Sequence, residues 1–317
     1  MMNYFILILK GVAMGAANVI PGVSGGTMAL ITGIFERLID AIKSFNIQAI
    51  KLLFSFKLKE FAKYTDLYFL LAVFGGIAVA IITLAKLFDY LFTNYPVYIW
   101  AYFFGLVLAS VYFVGKTVKS WNKGVVITFI IGTTIAVIIS VMNPATENSG
   151  TFYLLLCGAV AMCSMILPGL SGSFVLILMG NYQLVMIDAV NDRNLAILIP
   201  VGIGAVLGLL AFSHILSWVF KRFRDQTISL LTGFILGSLS VLWPWKNSID
   251  FNNNIININK FGAYIDTAGE VLENVKVSTY NHVLPASFNS VVLLSILFAI
   301  AGIISIWAIE KASETKS

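Results

Sequence analysis

Apolar residues in this chain gather in runs of about twenty, and short polar and basic clusters divide them. A run of that length crosses the roughly 30 Å of a bilayer's hydrocarbon as a helix. The runs predict ordinary spans at 67–88, 97–114, 125–142, 195–220, 227–243 and 289–309. Two further stretches, 4–42 and 151–190, are each interrupted near the middle by a Pro-Gly-x-Ser-Gly cluster. As one helix either would reach roughly 60 Å, about twice the bilayer, so each is expected to fold back as a hairpin. The segment 46–63 is basic and amphipathic, and reads as a helix lying on the membrane surface.

Composition narrows the class. The 317 residues are 59% apolar and only 11% charged, with a mean hydropathy of +0.92; soluble domains carry about a quarter charged residues. A water-soluble globule is excluded, and the absence of ten-residue alternating segments argues against a transmembrane β-barrel. The expected fold is an all-α polytopic membrane protein. The net charge of +5 does not point to nucleic acid, because the basic residues sit between apolar runs, where they orient the chain. If both hairpins return to their side of entry, 15 of the 20 Lys and Arg fall on the side of the two termini, which is then cytoplasmic. The parity is the same for a half-depth, re-entrant hairpin and for a pair of full crossings. Lys10 interrupts the first apolar run, which argues against a secretion signal. Cys157 and Cys163 read as packing residues, and His214 and His282 stand too far apart to suggest a metal site; no metal and no cofactor are expected.

The chain repeats itself. PGVSGG at 21–26 returns as PGLSGS at 168–173, an offset of 147 that also aligns Gly33 with Gly180. One residue of slippage later, Ile39-Asp40-Ala41 meets Ile187-Asp188-Ala189. At an offset of 128, Val73, Gly76, Phe92, Gly105 and Ser110 meet Val201, Gly204, Phe220, Gly233 and Ser238. The first repeat, 1–145, then holds a hairpin and three spans, and the second, 146–317, holds the same plus an outer segment, 244–287, rich in Asn. Three is odd, so the second repeat starts from the opposite side of the membrane and the two are inverted. Inverted repeats with broken helices are typical of secondary transporters, whose sites lie near the midplane.

The broken hairpins carry the candidate chemistry. Pro21 and Pro168 stop the helices before them, while Gly22, Gly25, Gly169 and Gly172 let the chain turn. Ser24 and Ser171 are placed to cap new helices at 26–42 and 173–190. The amides of Gly25, Gly26 and Thr27, and of Gly172, Ser173 and Phe174, then lack intrahelical partners and present a partial positive charge suited to phosphate or carboxylate. Glu36, Arg37 and Asp40 end the first hairpin and Asp188 the second. Arg37 reads either as an ion-pair partner of Asp40 or as a phosphate ligand, with Glu36, Asp40 and Asp188 as carriers of a coupling ion, proton or sodium. No DDxxD cluster, no His beside an intramembrane carboxylate and no nucleophile with a base is present, which argues against a lipid phosphatase or prenyltransferase. A transporter of a small soluble anion fits the same pattern.

With GAANVIPGVSGGT at 15–27, ILPGLSGSF at 166–174 and their continuations, the chain resembles the bacterial and archaeal polyprenyl-phosphate translocase family over nearly its whole length. The resemblance implies movement of undecaprenyl phosphate, the carrier lipid of cell-wall precursors, from the outer to the inner leaflet of the cytoplasmic membrane. It implies a polyprenyl phosphate and membrane lipids as partners; on the reading of the tips above, Ser24, Gly25, Gly26, Thr27, Ser171, Gly172 and Ser173 are expected to hold its phosphate, with Arg37 assisting. Ser173 departs from the first repeat, which has Gly26 there.

Overall fold

The computed structural model describes residues 4–19, 24–142, 144–250, 254–258, 264–265, 267–270, 277–285 and 288–314. Pro21 and Gly22 lie outside them. Helix α1 (Tyr4–Val19) is followed by α2 (Gly25–Ile31), α3 (Phe35–Lys43), α4 (Ile47–Phe54), α5 (Leu58–Tyr64), α6 (Leu67–Asn94), α7 (Pro96–Lys116) and α8 (Lys123–Val141). The second half begins with α9 (Thr151–Ile166), α10 (Gly172–Leu178), a π-helix (Gln183–Asp188) and α11 (Ala189–Asn191). It continues through α12 (Leu195–Arg222) and α13 (Arg224–Ser238) to strands β1 (Lys246–Asp250), β2 (Ile255–Ile258), β3 (Tyr264–Ile265) and β4 (Val277–His282), and ends in α14 (Ser290–Glu314).

Among the described residues, α6, α7, α8, α12 and α14 contain the five stretches long and apolar enough to cross a membrane. Large apolar side chains stand outward along them, Ile82 at 77% and Leu207 at 61% exposure, as a lipid-facing surface allows. Helices α1 and α9 have 16 residues each, about 24 Å, which is short of the hydrocarbon thickness. Helix α2 folds back beside α1: the Gly25 amide meets Asn18 near the end of α1, and Thr32, just past α2, meets Lys10 in its middle.

Neither returning limb is the single helix expected at 26–42 or 173–190. Each breaks after seven residues, at the two glycines that the repeat aligns. Gly33 has φ +71° and Gly180 φ +73°, a left-handed conformation closed to most side chains. Around them Ile34 N–H donates to Ala29 O and Gly33 N–H to Leu30 O, and Asn181 N–H to Leu176 O and Gly180 N–H to Ile177 O. Both sets form the Schellman ending of a helix. Past this point the first half continues as the α-helix α3, whereas the second forms the π-helix. A π turn takes up one extra residue, and it lies where the alignment slips by one between Gly180 and Ile187.

Helix α1 packs on α6, α9 on α12, α7 on α14 and α8 on α13. In α1–α6, Gly11 lies against the Val73 carbonyl and Gly76 against that of Ile8. In α9–α12, Gly158 lies against the Val201 carbonyl and Gly204 against that of Leu155, the same positions shifted by 147 and 128. Gly105 against Ala299 and Gly302 against Tyr102 in α7–α14 are matched by Gly233 against Phe129 and Gly132 against Leu230 in α8–α13. Backbones approach this closely because lipid offers no hydrophobic drive between helices, leaving close packing of small residues to hold them.

Two expectations are corrected. The surface helix 46–63 is two helices, α4 and α5, separated where Phe56 takes φ 54°. The span 227–243 ends as an α-helix at Ser238, and Leu239, Ser240, Val241 and Leu242 form tighter i→i−3 bonds on the approach to Pro244, a residue that disfavours helix before it. The membrane part is helical, as expected of an all-α polytopic protein, but the outer segment 244–287 adds an antiparallel sheet of order β3-β2-β1-β4 that the reading of the sequence lacks. Strand β2 reads Ile-Ile-Asn-Ile, and Ile256 is buried while Ile255 stands exposed. Lys246 on β1 sits 3.4 Å from the centroid of Trp100 in α7 and donates to the Val241 carbonyl, docking the sheet on the bundle. Burial lowers its ammonium to about 7.

Candidate functional site

The first hairpin tip is buried from Ser24 to Ala29. Ser24 has the extended backbone of an N-cap and its Oγ accepts from Gly26 N–H at 3.1 Å. Thr27 N–H donates to the Ser24 carbonyl at 3.0 Å, and Gly25 N–H to Asn18 Oδ1 at 2.8 Å. The three amides expected to await an acceptor therefore each hold one supplied by the protein. Ser24 Oγ also reaches the Met165 carbonyl at 3.4 Å, and a methyl group on Gly26 would run into the Ile166 carbonyl. The first tip thus meets the end of α9, two residues before Pro168.

The second tip is arranged differently. Pro168, Gly169 and Gly172 are buried, and Gly169 takes φ +83° against the backbone of Phe234 in α13. Ser171 does not cap α10: its Oγ pairs with Ser173 Oγ at 2.7 Å. Among the described residues no acceptor faces the amides of Gly172, Ser173 or Phe174, and Ser173 is exposed. The chain thus presents one closed tip and one open tip. Gly26 is confined by the Ile166 carbonyl, whereas Ser173 has room for its side chain.

The structure does not bring Arg37 to the tips. Helix α2 lies between them, about 10 Å of chain for its seven residues. Arg37 neither pairs with Asp40 nor stands free: its Nε and Nη2 donate to both oxygens of Asp66 at 2.6 and 3.0 Å, and its guanidinium lies over Phe69. The remaining acids of α3 pair across to the second half. Glu36 accepts from Arg224 at 3.2 Å, and Asp40 accepts from Lys221 Nζ and Ser217 Oγ at 3.0 and 2.7 Å. Lys43 reaches Ser217 as well. Asp188 accepts from Gln183 Nε2 at 2.9 Å.

Burial raises the Asp40 carboxyl, but the hydrogen bonds from Lys221 and Ser217 and the charges of Lys221 and Lys43 outweigh it and hold the group below its ordinary 3.8. Asp40, outside the five spanning helices, is therefore ionised at neutral pH. Its contribution is complete above 3.8 and is lost as pH falls through the lower folded value. Both side chains of the Asp40–Lys221 pair are more than 40% exposed, so a double-mutant cycle is expected to return less than about 1 kcal/mol. A larger coupling at neutral pH would contradict this account.

The sequence of the first tip gave no warning that Asn18 closes it, although an Asn in the last turn of an apolar helix, three residues before Pro21, was the available signal. Asp66, Ser217, Lys221 and Arg224 are not legible as partners either, since spacing along the chain does not say which polar groups meet across separations that here run from 29 to 188 residues.

Profile comparison matches residues 14–259 to the family described as undecaprenyl phosphate translocase-like. The chain belongs to that family. It is 38% identical over 313 residues, 99% of its own length and 98% of the relative's, to a polyprenyl-phosphate transporter of Vibrio cholerae serotype O1. It is 31% identical over 257 residues, 76% of its length and 86% of the relative's, to a polyprenyl-phosphate transporter of Staphylococcus aureus. No solved structure matches. Family membership and the apolar helices together make this a multi-pass membrane protein.

Proposed function

We propose that this member of the translocase-like family moves a polyprenyl phosphate of the undecaprenyl class from the outer to the inner leaflet of the cytoplasmic membrane, by alternating movement of two inverted repeats. The substrate follows the names of the two relatives. The observation that carries the reading of the site is the meeting of the Ser24–Gly26 tip with the end of α9. The inverted arrangement is supported by the paired crossings at matching offsets and by two hairpins with the same ending at Gly33 and Gly180.

In this reading the phosphate binds first to the open amides of Gly172 and Ser173 with the Ser171 hydroxyl. It then displaces Asn18 and the Ser24 hydroxyl from the amides of Gly25 and Gly26, with Thr27 beside them. Arg37 lies one short helix further along and serves a later position, once Asp66 releases it. The hairpins are re-entrant, which their 16-residue first limbs favour. The Glu36–Arg224 and Asp40–Lys221 pairs hold α3 against the ends of α12 and α13 and form the closed cytoplasmic gate, with both termini on that side. Inward movement of a charge of −1 to −2 against an inside-negative potential costs about 2.3 kcal/mol per charge at 100 mV, so transport is coupled to a proton or sodium ion. Glu36, Asp40 and Asp188 are the carboxylates for it, since opening the gate frees the first two from their cations.

The test is reconstitution in liposomes with fluorescent undecaprenyl phosphate, following its leaflet under a pH gradient, a sodium gradient or none. The expected result is gradient-dependent inward movement, blocked by unlabelled undecaprenyl phosphate and not by inorganic phosphate. No lipid movement, together with uptake of inorganic phosphate, would favour a soluble-anion transporter instead.

A further inference from the structure

Beside the first tip lies a cavity of about 730 Å³, a size typical of sites that enclose drug-sized ligands. Its α1 wall is Ala13, Ala16 and Ala17, one helical face on which every side chain stops at Cβ. Met28 of α2 and Leu91 of α6 close two further sides. The rings of Tyr95, Tyr98 and Phe298 form a row, with centroids 6.5 and 5.5 Å apart in stacked pairs. Tyr102 also lines the space, but its hydroxyl is engaged with Ser305 at 3.0 Å, so the wall it offers is its ring. The cavity lies at the end of α6 opposite Asp66 and its partner Arg37.

We propose that this cavity binds the prenyl units nearest the phosphate of a polyprenyl phosphate, so that the protein grips the first part of the tail as well as the head. The proposal rests on the phosphate reading of the hairpin tip. Continuity with that tip selects the occupant: Ala17 directly precedes Asn18, whose side chain holds the Gly25 amide, and Met28 follows Gly25 by one turn. A phosphate that took the place of the Asn18 oxygen would start its ester-linked chain at the cavity. The lining then suits that chain. The alanine face leaves room for branching methyl groups, the ring row gives flat walls for planar double bonds, and an empty apolar void would leave the wall atoms without contacts. An unbranched acyl chain with a bulky glycerol head lacks both the branching and the direct link between anion and chain.

The test is photolabelling of the purified full-length protein with farnesyl phosphate that carries a diazirine on its second prenyl unit, followed by peptide mapping. The expected label falls on the lining residues Ala13 of α1, Leu91 of α6 and Ile99 of α7, and a tenfold excess of undecaprenyl phosphate suppresses it at least fivefold, whereas the same excess of decyl phosphate does not. Ala16→Phe, which fills the cavity, is expected to lower labelling at least fivefold, and Leu106→Trp, at a lining residue of α7, provides a second filling should the first variant not fold. Label competed by undecaprenyl phosphate but confined to lipid-facing positions such as Ile82 and Leu207 would overturn the tail site and leave the phosphate reading standing. Label indifferent to undecaprenyl phosphate would overturn both. The mapping needs only the wild-type protein, so the result does not depend on any variant folding.

Discussion

Gly76→Leu is expected to abolish the folded bundle, whereas Gly75→Leu, one residue earlier on the same helix, leaves it intact. A side chain at Gly76 meets the backbone of Ile8, Gly11 and Val12 in α1, and none of these can turn aside as a side chain would. A side chain at Gly75 meets nothing within 4 Å. Overpacking a core commonly costs about 1–3 kcal/mol, and it costs more where the obstacle is the neighbouring main chain, because relief requires the two helices to separate along their length. The second half offers the same contrast: Gly204 lies against the backbone of Leu155, while Gly202 faces open space. Gly204→Leu is expected to fail and Gly202→Leu to be tolerated. Size-exclusion profiles and thermal midpoints in detergent decide it; equal behaviour of Gly75→Leu and Gly76→Leu would remove the close α1–α6 crossing, and with it the main structural support for two equivalent halves.

Much of this frame is legible in the chain. The doubled hexamer marks the starts of α2 and α10, and the offsets of 147 and 128 already pair Gly76 with Gly204 and Gly105 with Gly233. What these glycines do is not legible, because alignment reports equivalence and not contact: that Gly76 touches Ile8 follows only from the helix crossing. Gly33 and Gly180 aligned as well, but a periodic apolar pattern continues across each of them and hides the left-handed turn that ends the helix. The one-residue slip was visible before its cause, the π-helix from Gln183 to Asp188. The outer sheet was concealed by composition: its Asn content suggests an irregular segment, while the two-residue alternation of Ile and Asn around 255–258 is the strand signal. The charged residues of α3 were found but their partners were not, since Arg37 meets Asp66, and Asp40 meets Lys221, only through tertiary packing.

The site itself is tested most sharply at Asn18. Its Oδ1 already accepts from the Gly25 amide inside a buried helix tip, so it occupies the place that a phosphate oxygen is proposed to take. Asn18→Asp puts a fixed anion of nearly the same shape there. The carboxylate accepts the same hydrogen bond with charge assistance and draws on the partial positive charge of the tip, so it competes with any arriving anion from within the molecule. Transport of labelled undecaprenyl phosphate is expected to fall at least tenfold, about 1.4 kcal/mol or more in the barrier, with folded protein still recovered. Asn18→Ala removes the acceptor without supplying an anion. It leaves a buried amide unpaired, at a cost of about 1–3 kcal/mol in stability, and exposes that amide to the substrate. The two variants therefore separate structure from binding: the Ala form is expected to be the less stable and the Asp form the poorer transporter. Normal transport by Asn18→Asp, with the variant shown to be folded, would mean that the phosphate does not reach the Gly25 amide and that the open tip at Ser171–Ser173 holds it alone.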